Sequence, residues 1–224
     1  MANRPVFISC ESAPFYSICN TEFTYYSGFA VVQKQKSIKS LHENFNKIHP
    51  NKKVIEISTK SDIDLGKRLS AFNLRIRSKK KDFSVECAFQ GSKVFELGGP
   101  YYDLIDKDSS TAKKDPRLKT SGRIIGFNYF GRIFAPEPLD YFYNWLYVNA
   151  LNFNKDLGKE ILSYDSFTDI EFNPNKSINC QARACAIYVG LYQSGKLEKA
   201  LSSEQSFLKT VYPNFEEYCQ LNFG

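Results

Sequence analysis

The chain is poor in the residues on which many catalytic centres are built. Its 224 residues include two histidines, one tryptophan and one methionine. The six cysteines form no CxxC pair and no regular framework, which argues against a Cys/His zinc site and favours reduced thiols in a cytosolic protein. They are Cys10, Cys19, Cys87, Cys180, Cys185 and Cys219.

Several familiar motifs are also missing. There is no GxxxxGK[ST] phosphate loop, no GxGxxG after a strand, no HExxH and no GxSxG elbow. No apolar run approaches the ~18 residues of a membrane span, and the N-terminus lacks a basic segment followed by a long apolar run. We therefore expect a soluble, cytoplasmic protein without signal peptide, metal or cofactor. Carboxylates, lysines and amides remain for catalysis.

Aromatic residues are abundant instead. Nineteen Phe and fourteen Tyr predict one core built largely on aromatic rings, in one domain with decorations. The formal charge is +6, from 30 Lys and Arg against 24 Asp and Glu. This balance is compatible with a polyanionic partner, although many solvated proteins share it.

The hydrophobic patterning predicts a helix-rich α+β fold with a few short strands. Helical spacing covers residues 29–48, 139–153, 156–162 and 178–195, and alternation at 54–58 and 123–134 is typical of strands. Ser84 is a credible N-cap for a helix that runs to about Leu97, and Ser177 for the helix that follows it. Residues 103–122 are charged and turn-rich, and more helix is expected towards the C-terminus.

The stretch FSVECAFQGSK carries the first candidate site. Glu86, Gln90 and Lys93 recur at i, i+4 and i+7, which places them on one face of a helix. Spacing alone favours a solvated salt-bridge row, worth a few tenths of a kcal/mol per pair. The apolar flanks and the nearby LSAFN weaken that interpretation. A partly buried Lys93 would have a depressed pKa and act as an amine nucleophile, with a carboxylate to shuttle its proton.

The loop FTDIEFNP carries the second candidate. Asp169, followed by Phe172 and Asn173, is either a helix-capping turn or a carboxylate that binds a sugar hydroxyl or moves protons. Trp145 lies on an apolar helix and by default belongs to the core. The basic runs at 75–81 and 112–119 are solvated surface by default, but they flank the candidate site and suit phosphate contacts.

In this order, LSAFN, FSVECAFQGSK, FYNWL, DIEFN and KSIN resemble the NADAR family of N-glycosidases, which share the fold of a bacterial riboflavin-biosynthesis protein. Cys87 replaces the family's usual His, and Phe172-Asn173 replaces its Trp-Gly, although Phe keeps a face for stacking. The segments YYSGFAVVQKQKSIKSLH, GGPYYDL and GFNYFG resemble the branch that accompanies DarT-type toxins. The matched positions are Ser70, Phe72, Asn73, Glu86, Gln90, Lys93, Trp145, Asp169 and Asn179.

The resemblance implies an antitoxin that removes ADP-ribose from ADP-ribosylated guanine in DNA. Lys93 would attack the anomeric carbon of the distal ribose and form a Schiff base, while Glu86 and Asp169 would move protons and hold ribose hydroxyls. Residues 1–64 would be an N-terminal extension packed on a NADAR-like catalytic domain, 65–224. A cognate DarT-type toxin is a candidate partner, and ADP-ribose is the product. The substrate-binding positions would be Ser70, Phe72, Asn73, Gln90, Trp145, Phe172, Asn173 and Asn179.

Two other functions stay open at this point. One is an N-glycosidase that acts on a small phosphorylated ribosyl metabolite, as in the riboflavin-pathway relatives. The basic runs and the N-terminal segment argue mildly against it. The other is a non-catalytic module that binds ADP-ribose, against which the presence of Glu86 and Lys93 argues.

Overall fold

The computed structural model describes residues 1–28, 30–77 and 81–215. Phe29 of the predicted first helix, residues 78–80 of the first basic run, and residues 216–224 of the predicted catalytic domain lie outside this description. Helices and short strands alternate along the chain, as expected for a helix-rich α+β fold. The five cysteines in the described part are free thiols, and no described helix is long and apolar enough to cross a bilayer.

The nine strands in the described part are short except at the N-terminus. They are β1 Ala2–Ser9, β2 Tyr16–Phe23, β3 Val54–Glu56, β4 Arg75–Arg77, β5 Asp82–Ser84, β6 Lys93–Phe95, β7 Ile124–Tyr129, β8 Arg132–Phe134 and β9 Ser166–Thr168. The helices of the same part are α1 Val31–Ile48, α2 Asp64–Arg68, α3 Val85–Gly91, α4 Ser109–Lys114, α5 Arg117–Thr120, α6 Tyr141–Phe153, α7 Lys155–Glu160, α8 Gln181–Gln193, α9 Leu197–Leu201 and α10 Glu204–Val211. Two 3₁₀ turns lie at Tyr102–Asp106 and Ile161–Ser163.

A four-stranded sheet joins strands of the N-terminal segment to a strand from later in the chain. Its strand order is β2-β1-β9-β3, with β9 antiparallel to β1 and parallel to β3. The turn between β1 and β2 packs closely on α8, where a Cβ at Gly190 would come within 2.3 Å of the Cys10 carbonyl oxygen. Three of the four strands thus come from residues 1–64. The boundary at residue 64 stays a prediction.

Two buried helices, α6 and α8, form the centre of the core. Both are apolar around most of their circumference, which is typical of a helix enclosed by other elements. An aromatic cluster connects α6 to the β7–β8 hairpin: the Phe142 ring lies 4.6 Å from Phe127 and 4.8 Å from Phe134, between ring centroids. The predictions of a helix at 139–153, of strand structure at 123–134 and of an aromatic core are confirmed.

The helix that begins after Ser84 is shorter than predicted. It ends at Gly91, and the chain continues as strand β6, in which Lys93 is the register partner of Phe127. Inter-strand hydrogen bonds to β7 therefore replace the helical hydrogen bonds that the i+7 spacing implied, since tertiary pairing overrides local periodicity. Lys93 does not lie on the helix face of Glu86 and Gln90; it approaches them from the adjoining strand.

Other helices and strands also begin or end at residues that differ from the predicted ones. Residues 103–122, expected as turns, contain a 3₁₀ turn and the short helices α4 and α5. The helix expected after Ser177 begins at Gln181, and its N-cap residue Cys180 has no side-chain capping hydrogen bond. The N-terminal hairpin was not predicted at all, because β1 alternates only over part of its length.

Candidate functional site

Hydrogen bonds fix the start of α3 against the loop at 69–74. The Ser84 hydroxyl accepts from the Cys87 N–H at 3.1 Å, which is the predicted N-cap. The Glu86 N–H donates to the Ala71 carbonyl at 2.9 Å. The Ala71 N–H in turn donates to Gln181 Oε1 of α8 at 2.7 Å. These bonds hold the first turn of α3 rigidly, so the Glu86 side chain has a defined position.

Glu86 and Gln90 are both buried and bonded to each other. Gln90 Nε2 donates to Glu86 Oε1 at 2.8 Å, so the amide orients the carboxylate. Gln90 Oε1 is buried and has no partner among the described residues. An unsatisfied buried acceptor is costly, which suits a group that hydrogen-bonds to a ligand. Lys113 Nζ lies 4.0 Å from Glu86 Oε1 and brings a cation to the same place.

Lys93 is a partly buried amine beside these groups. Its Nζ lies 4.7 Å from the centroid of the Phe89 ring. Among the described residues, no carboxylate oxygen lies within 4 Å of it. Burial lowers the pKa of Lys93 to about 8; Glu86 opposes this effect and the charge of Lys113 adds to it. At pH 7.5 roughly a quarter of the amine would be neutral, against about 0.1% for an ordinary lysine.

The backbone of Lys93 is held by a glycine. Gly99 has φ +85°, and a Cβ at this position would lie 2.3 Å from the Lys93 carbonyl oxygen. The Gly99-Pro100 turn thus packs directly on β6, and only glycine combines this φ with so close an approach.

Asp169 directly follows the carboxyl end of β9. The strands β3 and β9 are parallel, so residues that follow them lie at one edge of the sheet. Asp169 Oδ1 accepts from the Glu171 N–H at 3.1 Å and closes a local turn, but the next described helix begins only at Gln181, so this turn is not a helix cap. Burial, and next the charge of Glu56, raise the pKa of Asp169 well above its ordinary value.

Tyr143 of α6 lies near enough to both carboxyl groups for their charges to act on its phenol. Its ring packs edge-on against Phe89, with centroids 5.1 Å apart. Burial raises the pKa of its phenol well above the ordinary value, and Glu86 and Asp169 add to this effect. The phenol therefore stays a neutral hydrogen-bond donor that faces both acids. Lys93 and Tyr143 both pack against the Phe89 ring. Glu86 acts on both of them and Asp169 acts on Tyr143, so an amine, a phenol and two carboxyls are connected through this ring and this phenol.

The comparison with known protein families now identifies the chain. A family model described as DarT1-associated NADAR antitoxin matches residues 2–219. This chain belongs to that family. No curated protein matches it. Membership assigns the chain an antitoxin role beside a DarT-type toxin and implies hydrolase activity of the N-glycosidase type. The match confirms the NADAR-like fold predicted from the ordered motifs, and it runs across residue 64.

In this NADAR antitoxin, the loop at 69–74 supplies three of the predicted binding positions. The Ser70 hydroxyl and Asn73 Nδ2 both donate to the Lys67 carbonyl, each at 2.8 Å, so both side chains support the turn. The Phe72 ring is partly exposed, and Lys113 Nζ lies 5.2 Å from its centroid. Phe72 is thus the position of this loop that presents an open ring near Glu86. The binding roles of all three stay predictions.

Trp145 packs in the aromatic core beside the β7–β8 hairpin. It lies two residues from Tyr143 on α6, and so about 200° around the helix. Its ring packs against Phe134 at 4.8 Å and Tyr129 at 6.0 Å in the aromatic core. Its indole N–H is buried without a partner in the described part of the chain. Tyr143, on another face of this helix, packs against Phe89, and the binding role of Trp145 stays a prediction.

The loop after Asp169 contains the last three predicted positions. Phe172 is buried, 6.3 Å from Phe7 between ring centroids, and packs into the core. Asn173 Oδ1 accepts from the Asn175 N–H at 3.0 Å and closes a turn. Asn179 Oδ1 is buried with no partner among the described residues, as Gln90 Oε1 is. Of the three, Asn179 has the free polar atom that a ligand would satisfy.

Sequence reasoning missed Tyr143, Glu56 and Lys113. Tyr143 lies two residues before Trp145 in the apolar segment FYNWL, and Lys113 lies in a basic run that is solvated surface by default. Glu56 was the clearest signal available: it is an acid in the middle of the apolar strand segment VIEIS. Two cavities, of about 410 and 640 Å³, are lined by residues other than Lys93, Glu86, Tyr143 and Asp169, so the chemistry of the side chains is what identifies this site.

Proposed function

We propose that this protein is an N-glycosidase that removes ADP-ribose from ADP-ribosylated guanine bases in DNA, and so reverses the action of its DarT-type toxin as a form of DNA repair. The observation that carries the proposal is Lys93, a partly buried amine on the Phe89 ring whose pKa is lowered by burial to about 8, with Glu86 as the carboxylate that acts on it. Family membership supports the antitoxin role.

The proposed reaction uses Lys93 as a nucleophile. The neutral amine attacks the anomeric carbon of the ribose linked to guanine, the bond from that carbon to the base breaks, and the base leaves with a proton. Loss of a proton from the new amine and opening of the sugar ring give a Schiff base. Water then adds to the imine and releases ADP-ribose and free Lys93. Glu86, with the Lys113 cation 4.0 Å from its Oε1, is the nearby base for the proton of the amine.

The remaining groups suit a sugar and a polyanion. Asp169 and Tyr143 can hydrogen-bond to ribose hydroxyls, and the unpartnered Gln90 and Asn179 oxygens can accept from them. Lys113, exposed on α4, is near enough to the site to meet a phosphate group. This cation favours a phosphate-rich substrate, which both ADP-ribosylated DNA and a phosphorylated ribosyl metabolite would supply.

Turnover of two substrates tests the proposal. A single-stranded oligonucleotide with one ADP-ribosylated guanine is compared with a small phosphorylated ribosyl amine, and products are followed by mass spectrometry. We expect the oligonucleotide to return to its unmodified mass with release of ADP-ribose. Lys93→Ala should lower the rate at least about 10³-fold, whereas Lys199→Ala, at an exposed lysine on α9, should leave it unchanged.

Each other result favours a different function. Turnover of the small metabolite alone would favour the riboflavin-pathway type of glycosidase. Tight binding of ADP-ribose with no turnover of either substrate would favour a non-catalytic module. Full activity in Lys93→Ala would overturn the lysine mechanism while leaving the substrate in place.

A further inference from the structure

A second buried acid, Glu56, lies beside Asp169 and belongs to none of the roles above. Glu56 is the last residue of β3 and is fully buried. Its Oε2 accepts from the Thr168 hydroxyl at 2.6 Å, and its Oε1 accepts from the Ile170 N–H at 2.8 Å. These two donors flank Asp169 in the chain, so the carboxylate of Glu56 is fixed next to that residue.

In the hydrogen bonds around Thr168, each donor points towards Glu56. Thr168 has a single hydroxyl proton, which it donates to Glu56. Its Oγ1 must therefore accept from His42 Nε2 of α1, which lies 2.8 Å away. Burial lowers the pKa of His42 to about 4, so the ring is neutral with its proton on Nε2. This series of hydrogen bonds, from His42 through Thr168, ends at Glu56, where it stabilises a negative charge on the carboxylate.

Two carboxyls in one buried place cannot both be ionised without a large cost. Burial raises the pKa of Glu56, but the Thr168 hydroxyl, the Ile170 N–H and Ser58 oppose this effect. The donors to Asp169 are the N–H groups of Glu171 and Phe172, and its pKa is still raised well above the ordinary value. Donors favour the charged form of the acid to which they point. Glu56 is therefore the anion of the pair, and Asp169 holds the proton.

We propose that Glu56 is a positioning residue that keeps Asp169 protonated, and that Thr168 and His42 fix Glu56 as the anion. This inference rests on the proposed function, because it makes Asp169 the acid that gives the departing base its proton. Glu86 is then the carboxylate that accepts the proton of the Lys93 amine. The two acids thereby have separate roles, and their surroundings set those roles.

Other ionisable groups face this pair. Glu171 adds a negative charge, but its carboxylate is partly exposed and lies 3.3 Å from Lys34 Nζ. Tyr143 and Cys180 face Asp169, and burial raises the pKa of both well above the ordinary values, so they carry no charge. Asp62 acts on His42 and partly offsets the effect of burial there. Glu56 is thus the strongest charged influence on Asp169.

The experiment is a carboxyl ¹³C NMR titration of Asp169 in the full chain. In the wild type, we expect its midpoint well above that of an ordinary aspartate. Glu56→Gln removes the charge and keeps the shape, and should lower the midpoint by about one pH unit or more. Thr168→Val removes a donor to Glu56 and should lower it by less. Thr168→Ser keeps the hydroxyl and should keep the midpoint.

Activity supplies an independent readout. Glu56→Gln should lower kcat relative to the wild type, and the loss should be greater at pH 8 than at pH 5.5, because the variant loses the Asp169 proton at lower pH. A merely structural role would lower the rate equally at both pH values. Thermal unfolding of each variant checks that it is folded.

Two results separate this inference from the proposed function. An ordinary midpoint for Asp169 in the wild type, or an unchanged midpoint in Glu56→Gln, would overturn the inference even if the wild type hydrolyses the DNA substrate. A raised midpoint that falls in Glu56→Gln, with no turnover of the oligonucleotide by the wild type, would support the acid pair and overturn the proposed function.

Discussion

Replacing Lys93 by methionine should make the protein more stable while abolishing the proposed activity. The amine lies over the Phe89 ring with no carboxylate within 4 Å in the described part of the chain. Burial there disfavours the charged form and lowers its pKa from 10.5 to about 8. Methionine has a similar length and no charge, so it avoids this cost.

The magnitude follows from the linkage between protonation and folding. At about 1.4 kcal/mol per pKa unit, a fall from 10.5 to about 8 corresponds to about 3 kcal/mol of lost stability. Because the folded-state pKa is the lower one, the unfolded chain binds the extra proton. The cost is fully present below pH 8 and disappears as the pH rises through the unfolded pKa near 10.5. Lys93→Met should thus be about 2–3 kcal/mol more stable at pH 7, with a smaller gain at pH 9.5.

Urea unfolding at the two pH values measures this difference. Lys119→Met is the matched control, since Lys119 is exposed on α5 and its replacement should change stability by no more than about 0.5 kcal/mol at either pH. The dependence on pH is the diagnostic part, because better packing by methionine would be the same at both values. Equal stability of Lys93→Met and wild type at pH 7, or a difference independent of pH, would refute a buried and destabilised amine at this position.

Three further predictions concern the same site. The kcat/KM of the wild type should rise with pH through an apparent pKa of about 8, because the neutral amine of Lys93 is the reactive form; a profile flat from pH 6 to 9 would contradict this. Tyr143→Phe keeps the edge-on packing against Phe89 and should lower kcat/KM at least about 10-fold with little change in Tm; unchanged kinetics would remove the phenol from the site. Gly99→Ala should lower both activity and Tm, since its Cβ would lie 2.3 Å from the Lys93 carbonyl oxygen at φ +85°; a wild-type Tm would show that β6 can shift freely.

The first turn of α3 could be predicted from the sequence, whereas the contacts between residues far apart in sequence could not. The N-cap at Ser84 and the pair of Glu86 and Gln90 four residues apart follow from local rules, and the structure confirms the cap and the contact. Lys93 was linked to them by helical spacing, but the chain leaves the helix at Gly91. The amine still lies near enough to Glu86 for the two charges to interact, because β6 pairs with β7, a strand about thirty residues later that no local pattern specifies.

Glu56 shows why the rest could not be predicted. Alternation marked 54–58 as a strand, but not its neighbour in the sheet, since β3 pairs with β9 more than a hundred residues away. Only this pairing brings Glu56 beside Asp169. On α6, Tyr143 and Trp145 differ by two positions, and the direction of each depends on which face of a fully buried helix meets α3. An apolar pattern around the whole helix does not contain this information.

The most direct test of the central claim is reductive trapping during turnover. The protein is mixed with the ADP-ribosylated guanine oligonucleotide and sodium borohydride, digested, and its peptides are analysed by mass spectrometry. We predict a stable adduct of reduced ADP-ribose on Lys93, with none on Lys119 or Lys113, and none anywhere in Lys93→Ala. Active hydrolysis of the oligonucleotide with no adduct on Lys93, under conditions that trap a known lysine Schiff-base enzyme, would contradict the account.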